Sequence, residues 1–345
     1  MRKLIALLLA LCLIPCALAE SRPYPDSTVL SVLTLTDAQR RLADFLYGPI
    51  LRGETHIDLP DKTLYDDVSA AMGCLMQDYP ELFHLGRNYS VGYYRNKPEY
   101  ATWVEPVYRM NAAEAASLRE QLLAQARLAA DFSPDLDVIL DVLCQSVLYG
   151  GDEEMRHTAV GPLLQGAATC EGYAQAVALV CRMKGIPCGV IIGNATDNAG
   201  RTDRHAWNLL RMNGYTLLDL TWNDQNGISL NTRWYYGLST RQMAADHLPD
   251  AGQNIPPCGE QDNWHAQRGL VIATEAELLS ALQMFSREGQ INLRFADSAL
   301  YARAAHDTHA LLDDFNRACP QDAFYGAYSI VHSDAQQCVI LQRTE

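Results

Sequence analysis

Three residues of this chain have side chains suited to nucleophilic acyl transfer: Cys170, His205 and Asp219. Cys170 stands in the run Ala168-Thr169-Cys170-Glu171-Gly172-Tyr173-Ala174, His205 opens His205-Ala206-Trp207-Asn208, and Asp219 lies in Leu218-Asp219-Leu220-Thr221-Trp222. A thiol attacks a carbonyl carbon as its thiolate, and an unperturbed cysteine, with a pKa of about 8.5, is mostly protonated at neutral pH. A helix N-terminus and a nearby imidazolium both favour the anion, and a carboxylate behind the imidazole fixes its tautomer. In such a machine His205 takes the Cys170 proton, the thiolate attacks a carboxamide or peptide carbonyl, and water or an amine resolves the thioester.

The elements that must position these groups are legible around them. Thr169 is placed to cap a helix whose first turn holds Cys170, and Gly185 with Pro187 closes it. Tyr173, Ala176, Val177 and Val180 recur at helical spacing and should face the core. Gly172 lowers helix propensity by about 1 kcal/mol relative to alanine, and an uncrowded approach to the sulfur is one reason to keep it. Cys188-Gly189-Val190-Ile191-Ile192 follows as a strand, and residues 193–204 form a polar loop that could act as a lid. His205 then opens a strand that Asn213-Gly214 turns back through Tyr215 to Trp222, a hairpin pattern.

Register tests the arrangement. A two-residue Asn213-Gly214 turn pairs Arg211 with Thr216 and Asn208 with Asp219, placing Asp219 on the face opposite His205. A three-residue loop, Met212 to Gly214, pairs Arg211 with Tyr215 and Trp207 with Asp219, and the two catalytic candidates then share a face. Acyl transfer requires the second register with Gly214 in the left-handed conformation, or a bulge. Asp219, amid Leu217, Leu218 and Leu220, is a carboxylate in apolar company and needs a partner. The oxyanion of the tetrahedral intermediate would be met by the Cys170 amide, with Gln165 as a candidate second donor. Trp207 and Trp222 are assigned to shielding and core first, and to substrate binding second. A zinc site from Cys170, Cys181, Cys188 and His205 has unsuitable spacings. The chemistry requires no metal and no organic cofactor.

With Lys184-Gly185-Ile186-Pro187-Cys188 and the extended run Leu218-Asp219-Leu220-Thr221-Trp222-Asn223-Asp224, these motifs resemble the bacterial transglutaminase-like superfamily, relatives of the papain-like cysteine peptidases. The likeness covers roughly residues 155–260, including Trp234-Tyr235-Tyr236 and the segment Met243 to His247, and extends weakly to Tyr79-Pro80-Glu81-Leu82-Phe83. The resemblance implies an α+β fold with a transglutaminase/papain-like core, a nucleophile helix packed on an antiparallel sheet. It also implies the catalytic order Cys170, His205, Asp219, and a peptidase, amidase or transglutaminase activity on a protein or peptide, cell-wall peptide included. Here the stretch from Gly214 to Asp219 is a residue shorter than relatives usually have, which is the parity question again.

The whole chain fits that reading. Arg2 and Lys3, an apolar stretch from Leu4 to Ile14 and Ala17-Leu18-Ala19 form a secretory signal peptide over residues 1–19, so a secreted or cell-surface chain is expected to begin at Glu20. No later stretch is long and apolar enough for an integral membrane segment. Removing Arg2 and Lys3 takes the formal net charge from −14 to −16, which argues against nucleic acid as a partner. Of ten cysteines, eight lie beyond the signal, and their pairing is left open.

Helix caps at Thr36 with Gln39, Asn111 with Glu114 and Thr274 with Glu277 organise the remainder. They suggest an N-terminal α+β region over residues 20–110, a catalytic core over 111–258 and a C-terminal α+β subdomain over 259–345. In the N-terminal region a helix closes at Gly48-Pro49, a second spans residues near 64–76, and strands follow between Tyr89 and Met110. Ser133-Pro134 opens a helix running toward Tyr149. The C-terminal subdomain reads as strand 269–273, a helix from Thr274, strand 290–296, a helix to about 318 and two strands. The rival reading is an exported binding or scaffold module that keeps the fold without turnover.

Overall fold

The computed structural model describes residues 22–224 and 231–344; the expected signal at residues 1–19 and the start at Glu20 lie outside them. The chain opens with α1 (Asp37–Leu51), β1 (Ile57–Asp58), α2 (Tyr65–Asp78) and a long hairpin of β2 (Leu85–Tyr94) and β3 (Lys97–Tyr108). The Gln39 amide donates to Thr36 Oγ1 at 3.2 Å and the Thr36 amide donates to Gln39 Oε1 at 2.9 Å, a reciprocal cap that starts α1. The helix does not close at Gly48-Pro49 but runs on to Leu51, because Leu46, Tyr47 and the fully buried Ile50 tie its last turns to the core. Strands β1, β3 and β2 form one antiparallel sheet, and Leu46, Met72, Leu75 and Val104 share the core beneath it. In the turn after α2, the buried carboxylate of Glu81 is answered by the hydroxyls of Tyr24 at 2.7 Å and Tyr47 at 2.9 Å.

Next come α3 (Ala112–Asp131), started by Asn111 Oδ1 accepting from the Glu114 amide at 2.9 Å, and α4 (Leu136–Ser146), whose N-cap residue Asp135 makes no side-chain cap. A short parallel pair, β4 (Leu148–Tyr149) and β5 (Ala167–Ala168), leads into α5 (Cys170–Met183). After it, β6 (Cys188–Thr196), β7 (Thr202–Arg211) and β8 (Tyr215–Leu218) form an antiparallel meander. The short α6 (Leu220–Asn223), β9 (Tyr236–Leu238), α7 (Thr240–Met243) and β10 (His247–Pro249) complete a five-stranded sheet ordered β10-β6-β7-β8-β9.

Helix α5 lies on β6 and β7 with α3 against it, so it is enclosed rather than amphipathic. Every residue from Gly172 to Arg182 is buried, including but not confined to the expected Tyr173, Ala176, Val177 and Val180. The guanidinium of Arg182 survives there by donating to the Cys188 carbonyl at 2.8 and 3.0 Å, the Tyr24 hydroxyl at 3.2 Å and the Asp78 carbonyl. The helix ends as its glycine predicts: Gly185 at φ 76° lets the Ile186 amide reach the Cys181 carbonyl at 2.8 Å and the Gly185 amide reach Arg182 at 3.0 Å.

The remaining elements are α8 (Trp264–Gln267), β11 (Val271–Ile272), α9 (Glu275–Glu288), β12 (Gln290–Phe295), α10 (Ser298–His306), α11 (Thr308–Ala318), β13 (Tyr328–Ser333) and β14 (Cys338–Arg343). They build a four-stranded sheet ordered β11-β12-β14-β13 over a core of its own that includes Phe285, Leu293, Phe315 and Leu341. The one helix expected before residue 318 is two, broken at Asp307, which ends α10 and begins α11. This sheet docks on the preceding one: Asn292 donates to the Thr232 carbonyl at 2.6 Å and accepts from Trp234 Nε1 at 3.2 Å, and Arg294 reaches the Trp234 carbonyl. No helix among the described residues is long and apolar enough to cross a membrane.

Candidate active site

Cys170 is the first residue of α5 and is half-buried. Thr169 holds the N-cap position but makes no side-chain cap; its hydroxyl lies 3.1 Å from His157 Nδ1 and donates to the Arg156 carbonyl at 3.3 Å. That carbonyl also accepts the Thr169 amide at 3.0 Å, so the turn Glu154–His157 braces the start of the helix. It explains Gly172 too. A Cβ at residue 172 would stand 2.2 Å from the Arg156 oxygen, so the glycine admits a close backbone approach rather than clearing a path to the sulfur.

His205 lies within β7, not at its start, because β6 and β7 pair further than their polar residues suggested. Gly193 pairs with His205, Asn194 with Arg204, Ala195 with Asp203 and Thr196 with Thr202. Most of the supposed lid is therefore ladder, and the open turn shrinks to residues 197–201. Arg211 pairs with Tyr215 and Asn208 with Leu218, the register of a three-residue loop. Gly214 is absent from the left-handed glycines, however. The loop is instead held from outside: Asp262 accepts from the Asn213 amide at 3.2 Å and from Asn213 Nδ2 at 2.6 Å, while Gln261 lies where a Cβ on Gly214 would be.

That register delivers Asp219 to His205. Strand β8 stops at Leu218, and Asp219 caps α6 with Oδ1, accepting the amides of Thr221 at 2.9 Å and Trp222 at 3.2 Å. Its Oδ2 meets His205 Nε2 at 2.8 Å, which leaves His205 Nδ1 for the thiol. Burial alone would pull the His205 imidazolium down. The charge of Asp219, aided by hydrogen bonds to Asp219 and to Cys170, reverses this and lifts its pKa to about 10. Burial pushes Asp219 the other way, yet the positive His205 and the hydrogen bonds from His205 and His247 hold it well below the usual carboxylate range. Both shifts describe one buried ion pair.

His247 was not singled out from the sequence. It stands on β10, where its Nε2 lies 3.1 Å from the same Asp219 Oδ2 and its Nδ1 lies 2.5 Å from Asp246 Oδ1. Burial lowers its pKa, but these two carboxylates raise it overall. Asp246 in turn accepts from the Tyr235 hydroxyl at 2.7 Å and from Gln336 Nε2 at 3.1 Å, so the turn between β13 and β14 reaches the rear of the site. Nothing local announces His247. It arrives through the pairing of β10 with β6, and the only sequence signal was its place in a segment already noted for family likeness.

The tryptophans enclose these imidazoles. Trp207 is buried, with its ring 6.2 Å from His205 and 5.0 Å from His247, and Trp222 is half-buried at 5.3 and 4.6 Å from the same rings. Gln165 ends the turn Gly161–Gln165 in an exposed position, and among the described hydrogen bonds none joins it to Cys170 or His205. Tyr149, also missed from sequence, is exposed on β4, and its phenol is pushed up by partial burial and by the nearby Cys170. All eight cysteines among the described residues are free thiols, and burial separates the others from Cys170. Cys181 and Cys188 meet in the core, where their mutual hydrogen bond and burial raise the Cys181 thiol well above its ordinary value.

A model of the Transglutaminase-like superfamily core matches residues 130–222, the stretch from the end of α3 into α6 that contains Cys170, His205 and Asp219. Comparison with curated proteins gave no match. Among solved structures, the chain is similar to the periplasmic domain of TgpA from Pseudomonas aeruginosa bound to ethylmercury. The identity there is 17%, over 36% of this chain and 58% of that one, with a TM-score of 0.23. It is also similar to a TGase at 10% identity, over 50% of this chain and 51% of that one, with a TM-score of 0.28. The chain thus spans less than two thirds of each of these structures. The superpositions are loose, and the assignment rests on the match over residues 130–222. That stretch is a transglutaminase-like domain by its match to the superfamily core.

Proposed function

We propose that the chain is an exported thiol enzyme that forms a thioester from a peptide or glutamine amide and passes the acyl group to water or an amine. The buried Asp219–His205 pair, with Cys170 at the head of α5, is the observation that carries this reading. His205 holds the thiol's proton on Nδ1 as an imidazolium, and the thiolate attacks the amide carbon. The tetrahedral oxyanion forms beside the first turn of α5, whose amides have no intrahelical acceptor. Collapse expels ammonia or an amine, which takes the proton from His205. The incoming water or amine then gives a proton to His205 as it attacks the thioester, and the Cys170 thiolate leaves. Asp219 keeps Nε2–H directed at itself throughout and stabilises the cationic ring.

Supporting substrate contact near the thiol is Tyr149, exposed on β4 and near enough to Cys170 to feel its charge. A screen of glutamine and peptide amides with hydroxylamine as acceptor tests the proposal. Hydroxamate should form with the wild type and vanish in Cys170→Ala and His205→Ala. Equal yields from wild type and Cys170→Ala, or no hydroxamate from any donor, would favour a scaffold.

A further inference from the structure

A second group of two histidines and an aspartate lies far from the thiol in sequence. His306 ends α10, His332 stands on β13 and Asp334 follows in the turn to β14. Their nearest ligand atoms all lie within 4.8 Å of one another. Asp334 Oδ1 is 3.2 Å from His306 Nε2 and 3.6 Å from His332 Nδ1, and the two rings are 5.0 Å apart at 84°. In a tetrahedral zinc site, bonds of 2.0–2.2 Å put neighbouring ligand atoms about 3.4 Å apart, so the gaps around Asp334 match the edges of such a site.

The carboxylate is also oriented from behind. The hydroxyl of the buried Tyr301 donates to Asp334 Oδ1 at 2.5 Å and lies 3.3 Å from His332 Nδ1. Ligating carboxylates are commonly held by such bonds, which fix their direction before the ion arrives. The side chains of His306, His332 and Asp334 are 51%, 34% and 62% exposed, so an ion could enter from solvent and keep a water in its fourth position. Two imidazoles with one carboxylate suit zinc and its d-block neighbours and do not suit magnesium or calcium, which take oxygen ligands.

We infer that His306, His332 and Asp334 bind one zinc-type divalent cation, which clamps the end of α10 to the β13–β14 hairpin. The ion would reinforce elements already joined by their apolar core and by the Tyr301–Asp334 and Gln337–Ser298 bonds. Because imidazole must shed its proton to ligate, binding should weaken as pH falls.

Calorimetric titration of the full chain with zinc chloride, with magnesium and calcium chlorides as controls, tests the site. One equivalent of zinc should bind, neither control should, and the thermal midpoint should rise with zinc. His306→Ala and His332→Ala should each weaken binding at least about tenfold, and Tyr301→Phe about tenfold through the lost orienting bond. The metal-free midpoints of the two histidine variants, both altered at solvent-accessible positions, show whether the fold is kept. Absence of zinc binding would overturn the inference. So would binding unchanged in both histidine variants, or binding abolished by Cys170→Ser, which would place the ion at the thiol.

Discussion

The molecule holds the same trio, two histidines around one aspartate, in two settings. Around Asp219 the group is buried: both imidazoles address one oxygen, two amides occupy the other, and three aromatic rings close the sides. Around Asp334 the group is open to water, and the carboxylate is shared with a tyrosine. Identical residue types therefore carry different chemistry. In the interior, Asp219, Asp246 and the two imidazoles compensate one another away from water, and the carboxylates raise both histidines above the ordinary imidazole value. At the surface, water screens the charges and the nitrogen atoms stay reachable by an ion.

The largest contrast should come from deleting the two carboxylates. Asp219→Ala strips the buried His205 of its counter-charge, leaves His247 with Asp246 alone and deprives α6 of its cap, and should cost about 3–5 kcal/mol. Asp334→Ala in metal-free protein should cost less, about 1 kcal/mol, from the lost Tyr301 bond. Denaturant unfolding of both variants checks this, and similar losses would erase the distinction.

His247→Ala should cost about 2–3 kcal/mol, because it opens a cavity and leaves Asp246 with fewer partners. It should slow alkylation of Cys170 less than His205→Ala does, since His247 acts through Asp219 as a positioning residue. Loss of reactivity equal to that of His205→Ala would place it nearer the chemistry.

A pH series sharpens the comparison further. The folded pKa of His205 is raised, so its contribution is whole below the unfolded value of about 6.5 and fades as pH rises toward about 10. Asp219 is depressed, so its share is present above about 4 and is lost only as pH falls through its low folded value. The difference in thermal midpoint between wild type and His205→Ala should thus be greatest between pH 4 and 6.5 and narrow toward pH 10. His84 and His265 run the other way, since burial lowers them to about 4 and about 3, but they are common to both proteins and cancel. A difference that widens with pH would contradict the assignment.

Gln336→Ala should cost about 1–2 kcal/mol, from the lost bonds to Asp246 and to the Gln242 carbonyl. Its thermal midpoint measures how firmly the C-terminal sheet supports the rear of the buried trio.

What the sequence made legible was local. Capping pairs such as Thr36 with Gln39 and Thr274 with Glu277 fall where the helices begin, because those bonds join residues three apart. The parity argument named the register that joins Asp219 to His205, since alternation along a strand leaves two choices only. Its turn geometry went astray because Asp262 and Gln261, nearly fifty residues on, hold the loop without a left-handed glycine. Remote partners also hid His247 and the reason for Gly172. Each depends on what a remote backbone places opposite it, and neither periodicity nor spacing carries that information.

Iodoacetamide alkylation of Cys170 at neutral pH, followed by peptide mapping in wild type, His205→Ala and Asp334→Ala, tests the central claim most directly. The buried pair predicts that Cys170 reacts about tenfold or more faster in wild type than in His205→Ala, with Asp334→Ala unchanged. Equal rates in wild type and His205→Ala would contradict a thiol activated by His205 and Asp219.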